Sequence, residues 1–238
     1  MAVKQVYTCG CSFMSLDTTP GPVKSFLDMW ATYKGLEHVS LARSGATNFL
    51  IRLQIEHAIA NKADFVIVGA TSSDRIDIPL RTDIPCPVEL EHVDYQGYAS
   101  VSEQNVKSQD YVLSDSLSNL RGDLFMHSNH KRPIDRNTVE AVKYYVANLH
   151  NFSLEQTRDR FVISDGLRRL QQLNIPFVFL AGPMNWLDWS WLGASLWREP
   201  EPWDMPYGLT GDTVNHSPQQ AHDDFLVTLL KHTQDWKN

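Results

Sequence analysis

Cysteine is scarce in this chain and long apolar runs are missing. The three cysteines, Cys9, Cys11 and Cys86, cannot all pair, and Cys9 and Cys11 stand too close in sequence for an ordinary structural bridge. Neither a disulfide scaffold nor a four-ligand zinc site is indicated. The longest apolar stretches, Phe65 to Ala70 and Ile175 to Ala181, fall well short of the roughly 20 residues that a membrane helix needs, so a soluble protein is expected. The start, Met1 to Tyr7, has no basic segment followed by an uninterrupted apolar core, as a secretion signal would. The expected location is cytoplasmic. Positive charge is also short: 21 Lys and Arg stand against 28 Asp and Glu, a formal net charge of −7. That balance gives no general attraction to polyanions, so neither nucleic acid nor a membrane is an expected partner.

Further absences narrow the class. The chain has no internal repeat, no low-complexity tract and no linker sharp enough to divide it, and its 238 residues fit one generous domain. With 42% hydrophobic and 21% charged residues, the composition is globular. A nucleotide-binding flavodoxin-like module would explain a parallel sheet, but Gly10-Cys11-Ser12-Phe13 is too short for a phosphate-cradling loop and contains no lysine. The histidine pairs His127 with His130 and His216 with His222 have spacings poorly suited to metal ligation. No metal and no cofactor is expected.

What the chain does have is a set of short β-prone runs stopped by small residues. Gln5 to Cys9 stops at Gly10, Phe65 to Val68 at Gly69, and Pro176 to Ala181 at Gly182, with a weaker run at His38 to Leu41. Helical patterns lie between them. Val23 to Tyr33 ends before Gly35; Ile51, Ile55, Ala58 and Ile59 form one face of a helix that Thr47 caps; Asp135 to Leu173 is helical with interruptions. A C-terminal helix is predicted from Ser217 as cap, Pro218 in the first turn and Gln220 closing a capping box, with Ala221, Phe225, Leu229 and Leu230 facing inward. Strand alternating with helix predicts a three-layer α/β/α sandwich with a parallel sheet, one domain over 1–238. From Pro85 to Pro133 the chain is rich in Ser, Asp and Asn without a clear period, which reads as an insertion or lid.

Ligands of parallel α/β sheets bind beyond the carboxyl ends of the strands, so the residues after each strand belong together. These are Gly10-Cys11-Ser12-Phe13, then Ala42 to Asn48, then Gly69 to Asp74, and late in the chain Asp212 to Pro218 with His216. A serine on a tight turn, amides on separate loops and a histidine behind a carboxylate are the parts required for acyl transfer. Taken singly, each has a plainer reading: Ser12 as a turn residue, Gly45 as a turn glycine, His216 as a surface residue beside a helix cap. Cys11 reads as a small buried hydrophobe rather than a reactive thiol.

In order and spacing these blocks resemble the SGNH (GDSL-like) hydrolase family, in particular its divergent Gly-Cys-Ser-Phe type found among phage and bacterial proteins. The resemblance implies a serine esterase or acetyl-esterase acting on a small or carbohydrate-linked ester. It implies Ser12 as nucleophile, His216 as general base, and the amides of Ser12 and Gly45 as oxyanion donors. Two blocks depart from the family pattern. Thr71 stands where the third block carries an oxyanion Asn, so the Thr71 hydroxyl or the Asn48 amide would have to serve. Thr213 stands where the fourth block carries its Asp, leaving Asp212 one residue further off, or Asp204, to orient the histidine. Loss of one oxyanion donor costs about 10²–10³ in rate and loss of the carboxylate about 10⁴. A catalytically weakened binding or structural protein of the same architecture is therefore the alternative. Five of the seven tryptophans lie from Trp186 to Trp203. They read either as an aromatic packing cluster or, at Trp189 and Trp191, as a wall for the substrate.

Overall fold

The computed structural model describes residues 4–11, 14, 25–42, 46–71, 73, 75–79, 112–116, 141, 144–145, 148–180, 223, 226–227, 229–231 and 233–234, with the backbone alone at 75–79 and 112–116. Its centre is a four-stranded parallel sheet of β1 (Gln5–Cys9), β2 (Glu37–Ser40), β3 (Phe65–Gly69) and β6 (Phe177–Leu180), in the spatial order β2-β1-β3-β6. These are the four runs expected from the sequence. The strands of a parallel sheet covered on both faces are apolar throughout, and β3, Phe-Val-Ile-Val-Gly, is buried along its whole length.

Alternate side chains of each strand divide between the two faces. Tyr7, Cys9, Val66, Val68 and Phe179 pack with Ile51, Ile55 and Ala58 of α2 (Asn48–Ala60) and with Ile163, Leu167 and Leu170 of α3 (Phe152–Gln172). Val6, Phe65, Ile67 and Leu180 pack on the other side, with Phe26, Leu27 and Trp30 of α1 (Phe26–Lys34) and with Leu229 near the C-terminus. The result is the predicted α/β/α sandwich. Trp30 also donates its ring N–H to Thr233 Oγ1 at 2.8 Å, and Lys34 Nζ donates to Thr233 O at 3.0 Å, tying the C-terminal residues to α1. The predicted cap from Ser217 to Gln220 lies outside the described residues.

Local chemistry sets the helix limits. Ser25 accepts from Leu27 N at 3.1 Å and Thr47 from Leu50 N at 3.1 Å, each taking up a backbone donor left free by the first turn. The expected long helical stretch resolves into two parts. Helical residues run to Asn148, the chain turns where Tyr145 O accepts from both Leu149 N and His150 N, and Asn151 then caps α3 by accepting from Leu154 N at 3.0 Å. α1 closes at Gly35, whose φ of 67° lets Leu36 N reach Ala31 O.

Of the segment from Pro85 to Pro133, expected as an insertion or lid, residues 112–116 are described. They form a strand, β5 (Val112–Ser116), paired antiparallel with β4 (Arg75–Pro79) from Arg75 opposite Ser116 to Pro79 opposite Val112. Neither strand stands out in the sequence: β5 mixes Ser and Asp with Val and Leu without clear alternation, and β4, Arg-Ile-Asp-Ile-Pro, alternates over only five residues. The remainder of the proposed insertion lies outside the described residues.

Candidate active site

The strands of the sheet end nearly level: Thr8 is opposite Ser40, Cys9 opposite Val68, and Gly69 opposite Leu180. The backbone at the end of β1 is fixed from two sides. Gly10 N donates to Gln54 Oε1 at 2.7 Å, and Gln54 Nε2 returns a bond to Gly10 O at 3.3 Å, with Gln54 fully buried on α2. Cys11 O accepts from Met14 N at 2.9 Å. The Met14 side chain then fills the notch between two strand ends. A Cβ on Gly10 would lie 2.5 Å from Met14 Cγ and 2.7 Å from its Cβ, and one on Gly69 would lie 2.8 Å from Cγ and 2.9 Å from Sδ. Both strand-stopping glycines are therefore needed for Met14 to seat. Ser12 lies outside the described residues, between Cys11 and Met14.

A second polar node joins the start of α2 to the end of β3. The last ladder bond there runs from Ala70 N to Leu180 O at 3.0 Å, and Asn48 takes over at the next residue. Thr71 N donates to Asn48 Oδ1 at 2.9 Å, while Asn48 Nδ2 donates to Thr71 O at 2.8 Å and to Asp159 Oδ2 at 2.9 Å. Both amide hydrogens of the buried Asn48 are thus used within the protein.

Asp159 reaches this node from the first turns of α3. Burial is the main cause that pushes its carboxyl up to about 6; bonding to Ser73 and Asn48 pulls it down, and Glu155 adds a repulsion that raises it. The Ser73 hydroxyl is buried and close enough to the carboxyl to act on it, yet makes no well-aligned hydrogen bond. Burial likewise pushes the Cys9 thiol far up, leaving it inert as a nucleophile. Cys11 is buried in the core with it.

Sequence reasoning picked out Asn48 and Thr71 but passed over Gln54, Asp159 and Ser73. A signal was present for two of these. Gln54 shares the inward stripe of α2 with Ile51, Ile55 and Ala58, and Asp159 lies one turn before Ile163 on that of α3. A polar side chain on an apolar stripe must find buried partners. Ser12, Gly45, His216, Asp212, Trp189 and Trp191 lie outside the described residues, so of the predicted site only Asn48 and Thr71 are seen together. Among the described residues no cluster of three metal-ligating side chains is found.

A hydroxyl–imidazole–carboxylate chain does occur elsewhere: Thr8 Oγ1 meets His38 Nε2, and His38 Nδ1 meets Asp28 Oδ1. Its connectivity is that of a hydrolytic triad, but Thr8 is completely buried in β1, where no substrate carbonyl can approach. The chain links α1 to β1 and β2 instead.

No family model matches the sequence, and no curated protein matches it. Among solved structures, a protein of Desulfitobacterium hafniense DCB-2 assigned to the G-D-S-L family of lipolytic proteins is similar over 96% of this chain and 98% of its own, at 11% identity and a TM-score of 0.34.

Proposed function

We propose that the protein is a serine ester hydrolase of the SGNH type, acting on a small or carbohydrate-linked ester. In this reading Ser12 Oγ attacks the ester carbonyl and His216 takes its proton, with Asp212 orienting the imidazole. The C–O bond to the alcohol then breaks, and His216 returns the proton to the leaving oxygen. Water, activated by the same histidine, releases the acid from the acyl-serine. The amides of Ser12 and Gly45 and the Thr71 hydroxyl face the developing oxyanion, and Trp189 and Trp191 line the side toward the alcohol or acyl group. No cofactor takes part.

One observation carries this reading. The end of β1, two residues before Ser12, is held by Gln54 on one side and by Met14, seated between Gly10 and Gly69, on the other. A nucleophile needs such a rigid mounting, because misplacement by about 1 Å can cost on the order of 10² in rate. A plain surface turn has no use for it.

The fully engaged amide of Asn48, together with threonine at position 71, favours a second reading in which the same strand ends bind a glycan or other partner without turning it over. Hydrolysis of p-nitrophenyl acetate separates the two. The first reading predicts activity that is lost in Ser12→Ala and rises with pH through a midpoint near the ordinary histidine value of about 6.5. Equal rates for Ser12→Ala and the unaltered protein overturn it and leave the binding role.

A further inference from the structure

We infer that Asp159, acting through Asn48, is a positioning residue that sets the backbone of Thr71 at the end of β3. The catalytic part of this inference rests on the hydrolase reading above; the structural part does not.

A carboxamide next to a backbone can sit either way round, since its oxygen and nitrogen occupy nearly the same space. In one orientation Asn48 Oδ1 accepts from Thr71 N and Nδ2 donates to Thr71 O, as the structure has it. In the other, two donors would face each other at Thr71 N and two acceptors at Thr71 O. The third bond reinforces the first arrangement. Asp159 Oδ2 accepts from Asn48 Nδ2 at 2.9 Å, and a carboxylate can only accept, so it repels the flipped amide oxygen.

Asn48 does for Thr71 what a neighbouring strand would have done. The ladder ends at Ala70, and the backbone groups of Thr71 meet the Asn48 side chain in place of β6. The chain past β3 is thereby held against the start of α2, the helix whose Gln54 holds Gly10 at the end of β1. One helix thus fixes the ends of both central strands, and α3 supplies the residue that orients the Asn48 amide. Thr71 occupies the position from which the third block is expected to face the oxyanion, so a shift of its backbone is a shift of that donor.

The test uses two variants and two readouts. Asp159→Leu removes the acceptor, whereas Asp159→Asn keeps a carbonyl for Asn48 to meet. Both should fold, because each removes a carboxyl whose burial disfavours its charge. In Asp159→Leu, exchange of the Thr71 amide hydrogen, followed by NMR, should speed up about tenfold, since one charge-assisted bond no longer holds the acceptor in place. For p-nitrophenyl acetate, kcat should fall about tenfold with KM within about twofold, because the loss is felt in the transition state. Asp159→Asn should recover most of both. Unchanged Thr71 exchange in Asp159→Leu overturns the positioning role whether or not the protein is an esterase. Faster exchange with unchanged kcat overturns its catalytic part. A fall in melting temperature that accounts for both effects, with no rescue by Asp159→Asn, makes the residue merely structural and overturns the inference.

Discussion

Several single residues in this protein do work that their type alone does not announce. Gly10 and Gly69 keep the ends of β1 and β3 bare so that Met14 can lie across them. The strand stops were legible in the sequence; the side chain that fills the notch was not, because Met14 reaches both ends only once the strands are paired. Asp159 shows the same limit. Its place on an inward stripe could be read, but its partners Asn48 and Ser73 come from distant parts of the chain. Its folded-state pKa, about 6 against an ordinary 3.8, has a direct consequence for stability. Between these values the folded protein holds a proton that the unfolded chain has already lost, so this residue's contribution falls as pH rises from about 4 to 6 and is level above. Asp159→Asn removes that dependence. With allowance for solvent reaching the half-buried carboxyl, the variant should be more stable than the unaltered protein at pH 7.5 by roughly 1–2 kcal/mol and nearly equal to it at pH 4. Urea unfolding at the two pH values checks this, and a stability difference independent of pH would contradict it.

At the scale of elements, the helices were legible wherever stripe and cap agreed, as with Thr47 and the Ile51, Ile55 and Ala58 face of α2. The short pair β4 and β5 was not legible, because five residues are too few to set either strand apart. The contact between α2 and α3 was also hidden. A Cβ on Gly166 would lie 2.7 Å from Ile55 Cδ1 and 2.9 Å from Arg52 Cδ, so the two helices approach closely only because this residue is glycine. Charge is buried at the same seam. Arg52 Nη2 lies 2.6 Å from Glu56 Oε1 and 2.8 Å from Asp165 Oδ2, and Arg169 Nε stands 4.0 Å from Glu56 Oε1. Glu56 is almost wholly buried, and its Oε1 meets Arg52 as an ion pair without hydrogen-bond alignment. Arg52 keeps Asp165 if Glu56 is removed, but removing Arg52 leaves the buried Glu56 carboxylate, among the described residues, with only Arg169 Nε at 4.0 Å. Arg52→Met should therefore cost roughly 3–5 kcal/mol in denaturant unfolding, whereas Arg52→Met with Glu56→Leu should recover most of that loss. A single-variant cost below about 1 kcal/mol would mean that water reaches the seam.

For the molecule as a whole, four short strands stopped by small residues, with helices between them, were enough to read an α/β/α sandwich. The strand order was not legible, because β6 joins β3 from far along the chain and nothing local in Pro176 to Ala181 selects that neighbour. The two faces of the sheet are closed by α2 and α3 on one side and by α1 with the C-terminal residues on the other. Among the described residues no helix is long and apolar enough to cross a membrane. What remains open to a ligand in such a fold is the edge where the strands end, and the residues proposed for chemistry all follow strands or stand just before the predicted cap of the last helix. The central claim is that this edge carries an activated serine. Mass spectrometry after treatment with a fluorophosphonate tests it most directly, since only a serine whose proton is taken by a positioned base reacts readily. The account predicts one adduct, on the peptide containing Ser12, absent in Ser12→Ala and strongly reduced in His216→Ala. An unmodified Ser12 under conditions that label a known serine esterase would contradict it.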